Sequence, residues 1–234
     1  MVDSPFLEMS ANTLTVLWND SATPSELQAA ISWGAVGATC NPVIALSALK
    51  AAPEYWAERI RTYAAAHPTA TEDEIGWAMV RELSIEAAKL LEPSFDKYNG
   101  RNGRLSIQTD PRYYRDAKSL ADQAVEFSQL ARNVIVKIPV TAAGVVAIED
   151  AVYRGVNINA TVSFSVAQTI AVGDEDEVPA LLVVRRWGSP GRLEDAIEVF
   201  AGDRPVLVAA DVAPRPDRVP RLHDRHPTRR PRSR

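Results

Sequence analysis

Short apolar runs alternate with amphipathic stretches through the first 172 positions of the chain. Residues 14–18 (LTVLW) read as a β-type run ending at Asn19 and Asp20. Thr23-Pro-Ser-Glu26 then supplies a Thr N-cap, a proline at the first helical position and a glutamate three residues after the cap, which predicts a helix to about residue 33 with Gly34 as its stop. Residues 36–39 are a second strand, closed by Cys40-Asn-Pro42. Pro53 opens a helix to about residue 66, ended by His67-Pro68, and Thr71-Glu-Asp-Glu74 is a second capping box. The helix it starts carries Ile75, Met79, Leu83, Ile85 and Leu90 at near-helical spacing up to Pro93. After the NGRNG loop at 99–103 come a strand over 104–109, a helix from Asp110-Pro111 to about 132, and a strand over 134–138. Thr141 caps a predicted helix ending near Tyr153 and Gly155; a strand over 156–161 and a helix over 165–172 follow.

Strand–helix alternation with short connections predicts a parallel α/β domain, because parallel strands need crossover helices. Beyond Gly173 the pattern loosens. The acidic run at 174–177 reads as a solvated loop, 181–184 and 206–210 as strands, and 193–200 as a helix. From residue 213 the chain is rich in Arg, Pro, Asp and His, a composition that buries too little apolar surface to offset its ordering entropy. Two segments are therefore expected: a barrel-type portion over 1–172, and a divergent, partly disordered Arg/Pro-rich tail over 173–234.

Composition narrows the class. The 234 residues are 46% hydrophobic and 24% charged, as in a soluble globular protein. A formal net charge of -4 gives no reason to expect a specific nucleic-acid or membrane partner. The single cysteine, Cys40, rules out an intrachain disulfide and points to a reducing compartment. Residues 1–13 lack the basic and apolar regions of a signal peptide, and no apolar stretch reaches the roughly 20 residues of a membrane span. Charge is uneven, however: every lysine lies at or before position 137, and from residue 201 onward nine arginines face four aspartates. Nonspecific anion or RNA binding by that end is outweighed by a solvated tail, since it lacks aromatic platforms. His223 and His226 are three apart, but no Cys or Glu in the tail completes a metal set, and no metal is expected.

Candidate chemistry centres on Lys137, one cation in the apolar run at 133–140 (NVIVKIPV). Burying an ammonium is costly, and burial favours the neutral amine, a nucleophile toward carbonyls. Pro139 marks the strand's end, which puts Lys137 near the C-terminal rim where α/β barrels keep their chemistry. Alone, it reads first as a strand-end lysine snorkelling to water. Polar residues recur at the other strand ends, though: Asp20 after the first, Thr39 and Asn41 at the second, Ser106 and Gln108 on one face of the third, Asn159 and Thr161 on one face of the fifth. Each has a plain alternative, Asp20 as a turn residue, Asn41 as a helix cap, Thr161 as a strand former. Five successive strands delivering polar groups to one rim is the layout of a barrel active site.

The motifs LWNDSA (17–22), ATCNP (38–42), SIQTDP (106–111), VKIPVT (136–141) and NATVSFS (159–165) together resemble the transaldolase family, in that family's order. The resemblance implies a class I aldolase-type (β/α)8 TIM barrel, incomplete or aberrant at its C-terminus, that acts on sugar phosphates in the cytoplasm, within the pentose phosphate pathway, without metal or organic cofactor. It implies Lys137 as the Schiff-base lysine, Asp20 as the acid–base group, Thr161 as the residue orienting the catalytic water, Asn41 and Asn159 as holders of the three-carbon unit, and Thr39 and Ser106 as lesser pocket positions. Gln108 stands where most transaldolases carry glutamate; an amide can hold a water but cannot take its proton. The fructose-6-phosphate aldolase branch also has glutamine there, so an aldolase releasing free dihydroxyacetone stays open, as does an inactive fragment. The family's phosphate-gripping arginine and serine motifs do not recur after Val172, and Arg185, Arg186 and Arg192 have no matching context. Enrichment in Arg, Pro, Ala, Gly and Asp is what a GC-rich gene yields out of frame, so a frame-shifted ending from about Gly173 is expected. An alternate gene frame encoding barrel-like strands is the test, and its absence ends the idea.

Overall fold

The computed structural model of the chain describes residues 5–13, 15–173, 181–185 and 196–198. An N-terminal helix α1 (Pro5–Asn12) precedes β1 (Leu17–Asn19), α2 (Pro24–Ser32), β2 (Ala35–Cys40), α3 (Pro42–Ala51), α4 (Pro53–Ala66), α5 (Glu72–Lys97) and β3 (Arg104–Gln108). Then come α6 (Ala117–Ser128), β4 (Val134–Pro139), α7 (Ala142–Tyr153), β5 (Ile158–Thr161), α8 (Val166–Gly173), β6 (Leu181–Arg185) and β7 (Ala196–Glu198). Sheet order follows chain order, with β1 to β6 parallel and β7 antiparallel to β6. Strands β1 to β5 make a curled parallel half-barrel, the architecture of an incomplete TIM-barrel type; β1 and β7 are the edges of the described sheet.

Strand alternation sorts the side chains into two layers. Ala38, Cys40, Leu105, Ile107, Val134, Val136, Ile138, Ile158 and Ala160 face the helices and merge with Leu27, Met79, Leu83, Leu120, Phe127 and Ile148 into the main core. The opposite, concave face carries Trp18 and Ile135, which cluster separately with Val36. A Cβ on Gly37 would lie 2.3 Å from the Trp18 ring, so only glycine lets the indole lie across β2 there.

Local signals explain most boundaries. Thr71 and Glu74 form the expected capping box, Thr141 caps α7, and Gly34 and Gly155 follow their helices with positive φ. Four expectations are corrected. Thr23 makes no side-chain cap bond; its hydroxyl accepts from Ser21 instead. Helix α5 does not stop at Pro93 but runs to Lys97, carried past the proline by buried Leu91 and by Tyr98 N–H donating to Ser94 O. The helix after Asp110 is split into a 3-10 turn over Pro111–Tyr113 and α6, because Asp110 and Asp116 each cap a separate start. Finally, Ala196–Glu198 is a strand paired with β6, where a helix over 193–200 was predicted. The predicted strand at 206–210, the acidic run at 174–177, Arg186, Arg192, His223, His226 and nearly all of the 173–234 tail lie outside the described residues.

Caps and surface ion pairs make the fold acid-sensitive. Burial pushes the Asp110 carboxyl up, but Arg112 hydrogen bonds outweigh it and hold it below the ordinary value. The Thr71 amide lowers Glu74, Ser119 lowers Asp116, Arg132 lowers Asp96 and Lys118 lowers Asp122. A carboxylate depressed in the folded state contributes stability above its unfolded pKa and loses it as pH falls through the folded one. The melting temperature should therefore hold from neutrality down to about pH 5 and drop steadily below about pH 4, as read by thermal circular dichroism across that range.

Candidate active site

Parallel pairing sets the polar residues in rows on the concave face. Thr39, Ser106 and Ile135 are in register across β2, β3 and β4; Gln108, Lys137 and Asn159 are in register across β3, β4 and β5; Pro139 pairs with Thr161. Lys137 is 3% exposed and Asn159 1%, while Thr39, Ser106 and Thr161 are also buried and Gln108 is half-buried.

Asn159 Nδ2 donates to Ser106 Oγ at 2.8 Å. Those residues sit two strands apart, with the Lys137 strand between them. Neighbouring strands are spaced about 4.8 Å, so their backbones are separated by roughly 10 Å in a flat sheet, and two short side chains meet across that span only where the sheet curls inward. The bond therefore draws β3 and β5 together over the lysine strand. Asn159 Oδ1, by contrast, is buried without a hydrogen-bond partner among the described residues, a costly condition unless something else supplies a donor.

At the rim, the Thr39 hydroxyl donates to Asp20 Oδ1, linking the ends of β1 and β2. Asp20 itself is exposed. Asn41 caps α3, its Oδ1 accepting from Val43 N–H and Ile44 N–H at 2.9 Å each. That is the plain alternative weighed for Asn41, and it commits the oxygen to the helix, so a ligand would meet the Nδ2 side. Thus Thr39, Ser106, Gln108, Lys137, Asn159 and Thr161 share one face, with Asp20 tied to it through Thr39 and Asn41 at the mouth of the β2–α3 turn. No three His, Cys, Asp or Glu side chains group as metal ligands among the described residues.

Cys40 lies on the opposite, helix-packed side. Burial pushes its thiol up to about 12, although the charge of Lys137 and a hydrogen bond with Ser84 pull it down in part. At pH 8 the native protein should leave a thiol-disulfide dye uncoloured, and denaturant should release the cysteine's full reaction.

Two contributors escaped the sequence reading. Trp18 fills the concave face beside Ile135; its place inside a run of apolar residues gave no sign of which face it takes. Gln168 stitches the turn after β5, and the signal for it was present in Ser165-Val-Ala-Gln168, a capping box directly after the NAT motif. A separate groove of about 1050 Å³ opens in the outer helical layer, lined by Tyr63, Trp77, Arg81, Arg112 and Tyr113; none of the concave-face polar residues lines it.

A family model described as transaldolase/fructose-6-phosphate aldolase matches residues 17–204, most of the chain. The chain belongs to that family. The match includes every strand of the half-barrel and continues past Gly173. Among curated relatives, transaldolase 2 of Streptomyces avermitilis is 34% identical over 141 residues, covering 59% of this chain and 37% of the relative. The transaldolase of Thiobacillus denitrificans is 34% identical over 143 residues, 60% of this chain and 39% of its own length. That of Mycobacterium marinum is 33% identical over 147 residues, 59% and 37% respectively. The matched stretch thus spans well under half the length of these relatives. No helix among the described residues is long and apolar enough to cross a membrane.

Proposed function

We propose that the chain carries the Schiff-base half of a transaldolase site and transfers a dihydroxyacetone unit between sugar phosphates, the reaction of sedoheptulose 7-phosphate with glyceraldehyde 3-phosphate in the pentose phosphate pathway. The observation that carries this reading is the setting of Lys137: 3% exposed, in register between two amides, beside a buried Asn159 Oδ1 that no donor among the described residues meets.

In this mechanism Lys137 Nζ attacks the ketose carbonyl carbon, water leaves, and an iminium forms. Asp20 takes the proton from the substrate hydroxyl beside the scissile bond. The carbon–carbon bond breaks, its electrons pass into the iminium, the aldose leaves, and an enamine stays on the lysine. Asn159 Oδ1 gains its missing donor from a hydroxyl of the three-carbon unit, and Asn41 contributes its amide nitrogen. The enamine carbon then attacks the acceptor aldehyde, Asp20 returns the proton, and a water held near Thr161 and Gln108 hydrolyses the new iminium. Gln108 favours a second reading, an aldolase that releases free dihydroxyacetone, because the family's fructose-6-phosphate aldolase branch carries glutamine where most transaldolases carry glutamate.

Borohydride trapping tests both. With fructose 6-phosphate, the folded chain should gain the mass of a reduced dihydroxyacetone adduct on the peptide containing Lys137. No adduct in folded protein rejects the enzymatic reading. Release of free dihydroxyacetone, unchanged by added erythrose 4-phosphate, would favour the aldolase over the transferase.

A further inference from the structure

The turn between β5 and α8 is built around one side chain. Gln168 Oε1 accepts from Phe164 N–H at 2.9 Å and Ser165 N–H at 3.1 Å, and Ser165 Oγ accepts from Gln168 N–H at 3.2 Å. That much is a helix cap. Gln168 Nε2, however, reaches out of the cap and donates to Val140 O at 2.7 Å, twenty-eight positions earlier in the chain, at the end of the lysine strand. Val140 N–H in turn donates to Thr161 O at 2.8 Å. The three groups close a ring: the end of β4, the end of β5 and the first turn of α8.

The ring encloses a strained position. Val162, directly after Thr161, has φ 63°, a left-handed conformation that a β-branched residue adopts only when its surroundings impose it. Here the imposing contacts are those Gln168 makes with the Phe164 and Ser165 amides and, at 3.4 Å, with Val162 O. The kink reverses the chain after Thr161, whose side chain stays on the buried concave face while Val162 is exposed.

We propose that Gln168 is a positioning residue: by joining the end of the lysine strand to the turn after β5, it fixes Lys137 and Thr161 relative to one another. This rests on the reading of Lys137 and Thr161 as the nucleophile and water-orienting residues. The bonds that carry this action run through the backbone at Val140 and Val162. A carbonyl and a nucleophile need near-attack geometry, and errors on the scale of 1 Å are felt as large rate losses.

Three full-length variants separate positioning from capping. Gln168→Glu keeps an acceptor for the Phe164 and Ser165 amides but cannot donate to Val140 O when ionised. Gln168→Ala removes both functions. Ser165→Ala weakens the cap and leaves the Gln168–Val140 bond. The expected result is that both Gln168 variants lower the rate constant for trapped-adduct formation by about tenfold or more at saturating fructose 6-phosphate, with half-saturation changed less than about threefold. Hydrogen exchange at Val140 should accelerate by at least about tenfold in the same two variants, while Ser165→Ala stays near wild type in both readouts. The proposal is overturned if Gln168→Glu matches wild type, or if Ser165→Ala and Gln168→Ala behave alike with exchange changes confined to α8. Should wild-type protein form no adduct, the catalytic reading fails by itself, and exchange at Val140 still decides whether Gln168 ties the two strands.

Discussion

Lys137→Met is expected to abolish the trapped adduct and cut sugar-phosphate turnover by at least about 10³-fold, the scale on which loss of a nucleophile is felt, while leaving the melting temperature unchanged or higher. The two halves of this prediction come from the same fact. Lys137 is 3% exposed on a strand whose residues from Val134 to Ile138 are all buried. Methionine nearly matches the lysine stem in length and volume and brings no amine to desolvate, so the space on the strand stays filled. A gain of about 1 kcal/mol would read as roughly 2–4 °C in a chain of this size. Asp20 is exposed, so the substitution does not strand it in a dry interior. Lys137→Arg is the useful contrast: it keeps a charge that cannot be shed, so it should lose activity and stability together. An adduct that survives in the methionine variant would mean that another lysine, such as Lys50 or Lys89, is being trapped, and the assignment would fall.

The polar rows were legible in the sequence because period-two alternation alone fixes which residues share a strand face. Ser106 with Gln108, and Asn159 with Thr161, were paired on that basis, and register then placed Lys137 between Gln108 and Asn159. Glycine stops and the Thr71 capping box were equally readable, since each is a local device completed within a few residues. What stayed hidden depends on contacts distant in sequence. Pro93 is tolerated inside α5 because the end of that helix is packed on the start of β3, and no local rule reports that packing. Helix α3 is hidden because Asn41 and Pro42 read as the close of a strand and equally as the start of a helix. The Asn159–Ser106 bond needs the sheet to curl, and the reach of Gln168 to Val140 needs two strand ends to lie side by side. Motif spacing carries neither.

Substituting Gly103 by alanine is expected to be among the most destabilising single changes in the half-barrel, at about 3–5 kcal/mol, combining left-handed strain with overpacking. Gly103 has φ +76°, and a Cβ there would lie 2.0 Å from Phe95 N and 2.4 Å from its Cα, backbone atoms of α5 that cannot swing aside. The residue is also a junction: its N–H donates to Val36 O at 2.6 Å, and its carbonyl accepts from the buried Asn133 Nδ2 at 2.8 Å, which donates as well to Ala88 O. Relieving the clash means pulling α5 away from β3, and that breaks bonds which hold β2, β3 and β4 in the register that sets Gln108 beside Lys137. Gly155 is the matched control, with φ +82° but open space where its Cβ would go. Gly155→Ala should therefore cost only the left-handed strain, about 1–2 kcal/mol. Urea unfolding of both variants measures the difference directly. If Gly103→Ala costs no more than Gly155→Ala, the close approach of α5 to β3 is not what anchors the third strand; if it costs several-fold more, the position of the polar rows depends on a glycine outside them.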